Sequence, residues 1–357
     1  MFNITLRAHI AGDFYPVHQS CTSSTLLLHM SKLALRYAAE FLTNIGERGL
    51  IYVFALAMAG TAMPVVASAD NFAMVDVSTA YVRSRPSHAG ELVTQQLMGF
   101  PVRVISSEGE WSKVETIDGY EGYIIDNTLV PVSEAQYSAW KDARRVVVKS
   151  HDEIVVTDDY GRRVSDVVPG AILRYEGPSS VSEGYSVVLL PDGRKGILPA
   201  TELMDIADWV SQPLDIAGAI DYGMDNLGAP YLWGGMSPKG MDCSGLTWTA
   251  YWLNGRLLKR DASQQARMGR KITDWKQLKA GDLAFFGNPA TGRVTHVALM
   301  RDDSGNFVHS SEGRVRLNSL DPTATDCIKA KFLWGITSDN FRPIIEDARS
   351  SWLFNKR

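Results

Sequence analysis

Tyr231-Leu232-Trp233-Gly234-Gly235-Met236-Ser237-Pro238-Lys239-Gly240-Met241-Asp242-Cys243-Ser244-Gly245-Leu246 is the stretch whose reading decides the fold. A Gly-rich turn runs into Asp242-Cys243-Ser244-Gly245, and an apolar run at helical spacing follows. Leu246, Ala250 and Leu253 share one predicted helical face, and Asn254-Gly255 supplies a stop signal. Cys243 is thus expected at a helix N-terminus, where unpaired backbone N–H groups and the helix dipole favour a thiolate and lower the thiol pKa. A thiolate nucleophile needs a base, and His296 and His309 follow on predicted strands. The pattern is that of a cysteine nucleophile with an imidazole partner.

Around this stretch the chain is long, 357 residues, enough for two or three domains. Its net charge of −4 gives no reason to expect nucleic acid or a polybasic membrane anchor. Residues 1–69 stand apart. Gly49–Val66 is an uncharged, largely apolar run preceded by Arg48 and followed by Ala67-Ser68-Ala69, the signature of a secretory signal peptide. A membrane-spanning helix is the competing reading, and Pro64 with the Ala-x-Ala site favours cleavage. Met30 is an alternative start of translation. An exported mature protein with no stable membrane insertion is expected, in the periplasm or cell envelope. It would keep only Cys243 and Cys327. Two cysteines in an exported chain invite a disulfide. Pairing would consume the nucleophile, so Cys243 is expected free and Cys327 a small buried filler.

Between the leader and the cysteine stretch lie two copies of one β unit. Glu110-Trp111-Ser112-Lys113-Val114, Asp118-Gly119 and Gly122-Tyr123-Ile124 are echoed by Gly184-Tyr185-Ser186-Val187-Val188, Asp192-Gly193 and Gly196-Ile197. Each lies 74 positions further along (111 to 185, 123 to 197). Two small barrels are expected, 70–132 and 145–205, joined by a short helix over Ser133–Arg144. From Leu214 to about residue 342 helices precede strands, an α+β order with helices packed on one antiparallel sheet. Ile216, Ile220 and Leu227 are predicted to share the buried face of the first of these helices.

Six motifs occur in order: Tyr231-Leu232-Trp233-Gly234-Gly235, Asp242-Cys243-Ser244-Gly245, Arg260-Asp261-Ala262-Ser263-Gln264-Gln265, Gly281-Asp282-Leu283-Ala284-Phe285-Phe286, Thr295-His296-Val297-Ala298 and Val308-His309-Ser310-Ser311. On these residues the chain resembles the NlpC family of bacterial papain-like cell-wall cysteine peptidases. The resemblance implies an α+β papain-like peptidase domain over 214–342, preceded by two small all-β SH3-like barrels. It implies Cys243 as nucleophile, His296 as general base and later acid, and His309 as the group orienting His296. The arrangement is most similar to the subgroup that cleaves γ-D-glutamyl–diamino acid bonds in peptidoglycan stem peptides with a free N-terminal L-Ala. There the first module helps close the site. Glu91, Tyr120 and Asp261 would then surround the L-Ala ammonium, and Tyr231, Asp242 and Ser244 would line the cleft beside the γ-D-Glu. Ala262 stands where the subgroup often has serine.

No cofactor is expected, and no metal, since neither CxxC nor HExxH spacing occurs. Two rivals stand beside this reading. One is a muramoyl-L-alanine amidase or acyltransferase on the same triad; the other is a cell-wall binding protein without turnover.

Overall fold

The computed structural model describes residues 71–355. The expected signal region, 1–69, lies outside them. Among the described residues no helix is long and apolar enough to cross a membrane.

The first module contains β1 (Asn71–Val75), β2 (Thr79–Arg83), β3 (Leu92–Leu97), β4 (Pro101–Glu108), β5 (Trp111–Glu115), β6 (Glu121–Ile125) and β7 (Leu129–Val132). They form one antiparallel sheet in the order β3-β2-β6-β5-β4-β1-β7. The second module holds β8 (Arg145–Val148), β9 (Ile154–Thr157), β10 (Arg163–Val167), β11 (Ile172–Pro178), β12 (Tyr185–Leu189), β13 (Lys195–Pro199) and β14 (Leu203–Asp205). Its order, β10-β9-β13-β12-β11-β8-β14, retraces the first. Equivalent registers recur: Lys113 opposes Tyr123, and Val187 opposes Ile197. Alternation of buried and open positions along β6 and β12 sets one face of each sheet toward an apolar core. Helix α1 (Glu134–Asp142) joins the modules, with Ser133 and Gln136 closing a capping box at its start.

Two short helices follow, α2 (Ile206–Ser211) and α3 (Ile216–Asp225). The predicted face of α3 is not the buried one. Leu227 lies beyond the helix and is exposed, Ile216 and Ile220 are half-buried, and Ala219, Tyr222 and Gly223 are buried. Small residues on that side let α3 approach the sheet closely. The two-residue strands β15 (Met236–Ser237) and β16 (Gly240–Met241) form the hairpin that leads into α4 (Cys243–Trp252). After the one-turn helix α5 (Ala262–Gln265) comes a five-stranded antiparallel sheet. Its strands are β17 (Leu283–Asn288), β18 (Arg293–Met300), β19 (Asn306–Ser311), β20 (Arg314–Ser319) and β21 (Phe332–Ile336), in the order β20-β19-β18-β17-β21.

Every residue of α4 is buried, so the single apolar face expected of it is replaced by contact all round. One side meets the sheet; the other meets the modules. Trp248 and Trp252 stack at 5.0 Å, Phe100 of the first module lies 5.1 Å from Trp252, and Trp209 lies 4.6 Å from it. Leu97, Phe100, Val147 and Ile172 from the two modules therefore share one apolar core with α4 and the sheet. The tail after Trp334, unreadable from sequence, straps this assembly. Ile344 and Leu353 are fully buried, and the Tyr137 hydroxyl of α1 donates to the Trp352 carbonyl at 2.6 Å.

Candidate active site

Helix α4 begins at Cys243 because Asp242 caps it: Asp242 Oδ1 accepts from the Gly245 N–H at 2.7 Å. The cap carboxylate is itself held on every side. Oδ1 also accepts from Ser244 Oγ at 3.1 Å and Arg260 Nη1 at 3.0 Å, and Oδ2 accepts from the Gly234 N–H at 2.9 Å and Arg260 Nη2 at 2.8 Å. The side chains of Asp242 and Ser244 are both buried in this network, Ser244 Oγ also accepting from Arg260 Nη1 at 3.0 Å.

The backbone N–H groups of Val297, the residue after His296, and of Ser244 lie near the Cys243 sulfur. Among the described residues no hydrogen bond joins the thiol to the His296 ring, and the Cys243 N–H has no partner. Burial pushes the thiol up to about 12, with the negative charge of Asp242 adding to the effect and those backbone donors opposing it. A lowered thiol pKa was expected from the helix N-terminus. Desolvation outweighs that end effect here, because Cys243 is only 8% exposed and the nearby Arg260 cation is committed to Asp242.

The imidazoles form a relay. His296 Nε2 lies 2.6 Å from His309 Nδ1, and His309 Nε2 lies 2.9 Å from Asn318 Oδ1. Asn318 Nδ2 donates to the Asp326 carbonyl at 2.6 Å, which fixes which end of the amide faces His309. His309 Nε2 must then carry the proton, its Nδ1 accepts from His296 Nε2–H, and the Nδ1 lone pair of His296 stays free. Burial draws His296 down to about 3, helped by His309, and draws His309 down to about 4. Both rings are therefore neutral at neutral pH.

The first module meets the loop before the cysteine helix and the start of α5. Glu91 Oε1 accepts from Trp233 Nε1 at 3.0 Å, and Trp233 is 60% exposed. Tyr120 faces the Asp261 carboxylate; burial first, and then that carboxylate, hold its phenol well above the usual tyrosine range. Asp261 also caps α5. Tyr231 is half-buried, its phenol pushed up to about 12 by burial first and then by its neighbours Cys243 and Asp242. Cys327 is free, as is Cys243, but it is partly exposed in a recess beside His296 rather than a buried filler.

Four participants escaped the sequence reading. Trp233 and Arg260 stood inside quoted motifs without a role. Gln95 accepts from the Met236 N–H at 2.8 Å across the module boundary, and Asn318 completes the relay. Neither of those two carries a local signal.

Papain-like architecture with a thiol at a helix start and a paired imidazole on the adjoining sheet defines a cysteine peptidase. The NlpC/P60 family model matches residues 228–331, and that of the bacterial dipeptidyl-peptidase Sh3 domain matches residues 82–129. The γ-D-glutamyl-L-lysine dipeptidyl-peptidase of Bacillus cereus is 30% identical over 243 residues, covering 63% of this chain and 68% of that one. Dipeptidyl-peptidase 6 of Lysinibacillus sphaericus is 30% identical over 257 residues, covering 70% of this chain and 92% of that one. The crystal structure of an NlpC/P60 family protein from Bacillus cereus superimposes with a TM-score of 0.65 at 24% identity, covering 74% of this chain and 99% of that one. The chain belongs to the NlpC/P60 family of cysteine peptidases.

Proposed function

We propose that the protein is an exported endopeptidase that hydrolyses the γ-D-Glu–diamino acid bond of peptidoglycan-derived peptides bearing a free N-terminal L-Ala. A relative named γ-D-glutamyl-L-lysine dipeptidyl-peptidase, 30% identical to this chain, supports the bond assignment. The observation that supports the reading is that the first module meets the cysteine domain through two carboxylates and a phenol, Glu91 against Trp233 and Tyr120 against Asp261. A free ammonium fits there. An acylated alanine brings no positive charge to those carboxylates, a basis for discrimination against it.

Cys243 is the nucleophile and the bare Nδ1 of His296 its base, with His309 and Asn318 holding that tautomer. In the resting site thiol and imidazole are both neutral. The proton passes from Sγ to Nδ1 as sulfur attacks the carbonyl carbon, and the unpartnered Cys243 N–H is placed to receive the oxyanion. Collapse breaks the C–N bond, His296 returns the proton to the leaving amine, and water then hydrolyses the thioester.

Digestion of L-Ala-γ-D-Glu-L-Lys with product weighing by mass spectrometry tests the bond. The expected product is L-Ala-γ-D-Glu, with none from Cys243→Ala and little from N-acetylated peptide. Release of an intact L-Ala-terminated stem peptide from a muramyl peptide would instead make the enzyme an amidase. For the neutral resting pair, alkylation of the free enzyme by iodoacetamide should climb about tenfold per pH unit through neutrality. A flat, fast plateau there would mean a preformed ion pair.

A further inference from the structure

Beside His296 lies a recess of about 810 Å³, ample for an amino-acid side chain. Its wall includes His296 and His309, and its charged residues are Arg316, Lys331, Glu312 and Asp326. Arg316 is ion-paired with Glu312. Among the described residues Lys331 forms no ion pair and is exposed. We propose that this recess receives the diamino acid that departs as the amine, and that Lys331 pairs with a carboxylate on it. The proposal rests on the peptidase reading above.

The geometry follows from the chemistry. His296 must hand its proton to the leaving nitrogen, so the leaving residue lies against His296. None of Cys243, Glu91, Tyr120, Asp261 or Tyr231 lines the recess, whereas His296 does, so the recess opens on the imidazole that carries the proton to the amine. The α-carboxylate of the leaving residue is bonded to the carbon that bears that nitrogen, which keeps it within a few ångströms of the imidazole. A cation is present there: after burial and His309, Lys331 is among the charges that hold the His296 ring neutral. A diamino acid also carries a side-chain ammonium, and Glu312 and Asp326 lie in the same recess to meet it. The carboxylate has two sources, the α-carboxylate of a chain-terminal residue or the distal carboxylate of a diaminopimelate. An anion at Lys331 would relieve its opposition to imidazolium as the amine departs.

Three tripeptides separate the cases: L-Ala-γ-D-Glu-L-Lys, its C-terminal carboxamide, and the meso-diaminopimelate peptide amidated at the α-carboxyl. With the full chain at low salt, kcat/KM for the lysine acid should exceed that for the amide by about threefold to fivefold, mainly through KM. The ratio should fall toward one in Lys331→Met, and in high salt as the pair is screened. A Lys331-dependent recovery with the diaminopimelate amide would assign the pairing to the distal carboxylate. Equal rates on acid and amide, or a ratio unchanged in Lys331→Met, would overturn the proposal while leaving the peptidase reading intact. Chemical-shift titration of Cys243→Ala with L-lysine and L-lysinamide reads the recess without turnover. A Lys331-dependent preference for the acid there, with no γ-D-glutamyl peptide cleaved, would sink the reaction and keep the recess.

Discussion

In the first β module, β3 turns Thr94, Gln95 and Gln96 into full burial against the peptidase domain, whereas in the second the matching strand β10 stays largely half-open. The contacts differ accordingly. Thr94 Oγ1 accepts from Arg260 Nε at 2.9 Å, Gln95 Oε1 accepts from the Met236 N–H, and Asp118 accepts from Trp248 Nε1 at 3.1 Å. Arg260 in turn holds Asp242, the cap of the cysteine helix. From the second module come the Gly170 carbonyl, accepting from Trp252 Nε1 at 3.0 Å, and ion pairs to Lys239 that remain open to solvent. One strand order serves two ends: the first module is wired into the site's polar frame, and the second props the helix from behind.

Arg260→Met tests the wiring most severely. It leaves the buried Asp242 carboxylate without its counter-charge, a loss of about 4 kcal/mol by the usual cost of breaking a buried pair. The urea midpoint should fall steeply. A small shift would mean that the Thr94–Arg260–Asp242 frame is not what ties the first module to the cysteine helix.

The turn before β4 and its counterpart before β11 come next. Gly99, at φ +78°, lies so close to the second module that an added Cβ would sit 1.7 Å from the Ile172 carbonyl oxygen. Gly170, at φ +87°, would place one 2.5 Å from the Trp252 indole. Gly99→Ala should cost about 3 kcal/mol, combining a left-handed alanine with a backbone clash. Gly170→Ala should cost about 2 kcal/mol, because an indole can tilt where a carbonyl cannot. Thermal unfolding of both variants gives the order, and a reversal would place the tighter joint at the helix rather than between the modules.

Gln95→Leu removes the acceptor of the buried Met236 N–H, at the start of β15 just after Trp233, for about 2 kcal/mol. Its effect should appear in kcat/KM on the free tripeptide as well as in stability. Lys239→Ala, at the second module's exposed ion pairs, should change stability by under about 1 kcal/mol and activity not measurably. Activity lost in Lys239→Ala but kept in Gln95→Leu would invert the comparison.

Much of this was legible in the chain. The repeat of Trp111-Ser112-Lys113-Val114 at Tyr185-Ser186-Val187-Val188 announced two like modules, since strand alternation and turn residues are local signals. Asp242-Cys243-Ser244-Gly245 announced a capped helix start for the same reason. The burial of Asp242 under Arg260 was not legible, because an aspartate that caps a helix and one that contacts a ligand look alike in sequence. Nor was Asn318, which meets His309 only because β19 and β20 are paired. The elevated thiol was hidden for a related reason: a helix end is visible in sequence, and its solvent exposure is not.

Residue order alone therefore determined the catalytic atoms on offer, the thiol of Cys243 and the imidazoles of His296 and His309, and the succession of β units before them. Tertiary packing decided which imidazole nitrogen is bare, which charges are already spent, and that one β module bonds to the Arg260–Asp242 pair while its twin does not. Proton position and free charge depend on neighbours distant in the chain, and only the folded molecule brings those neighbours together.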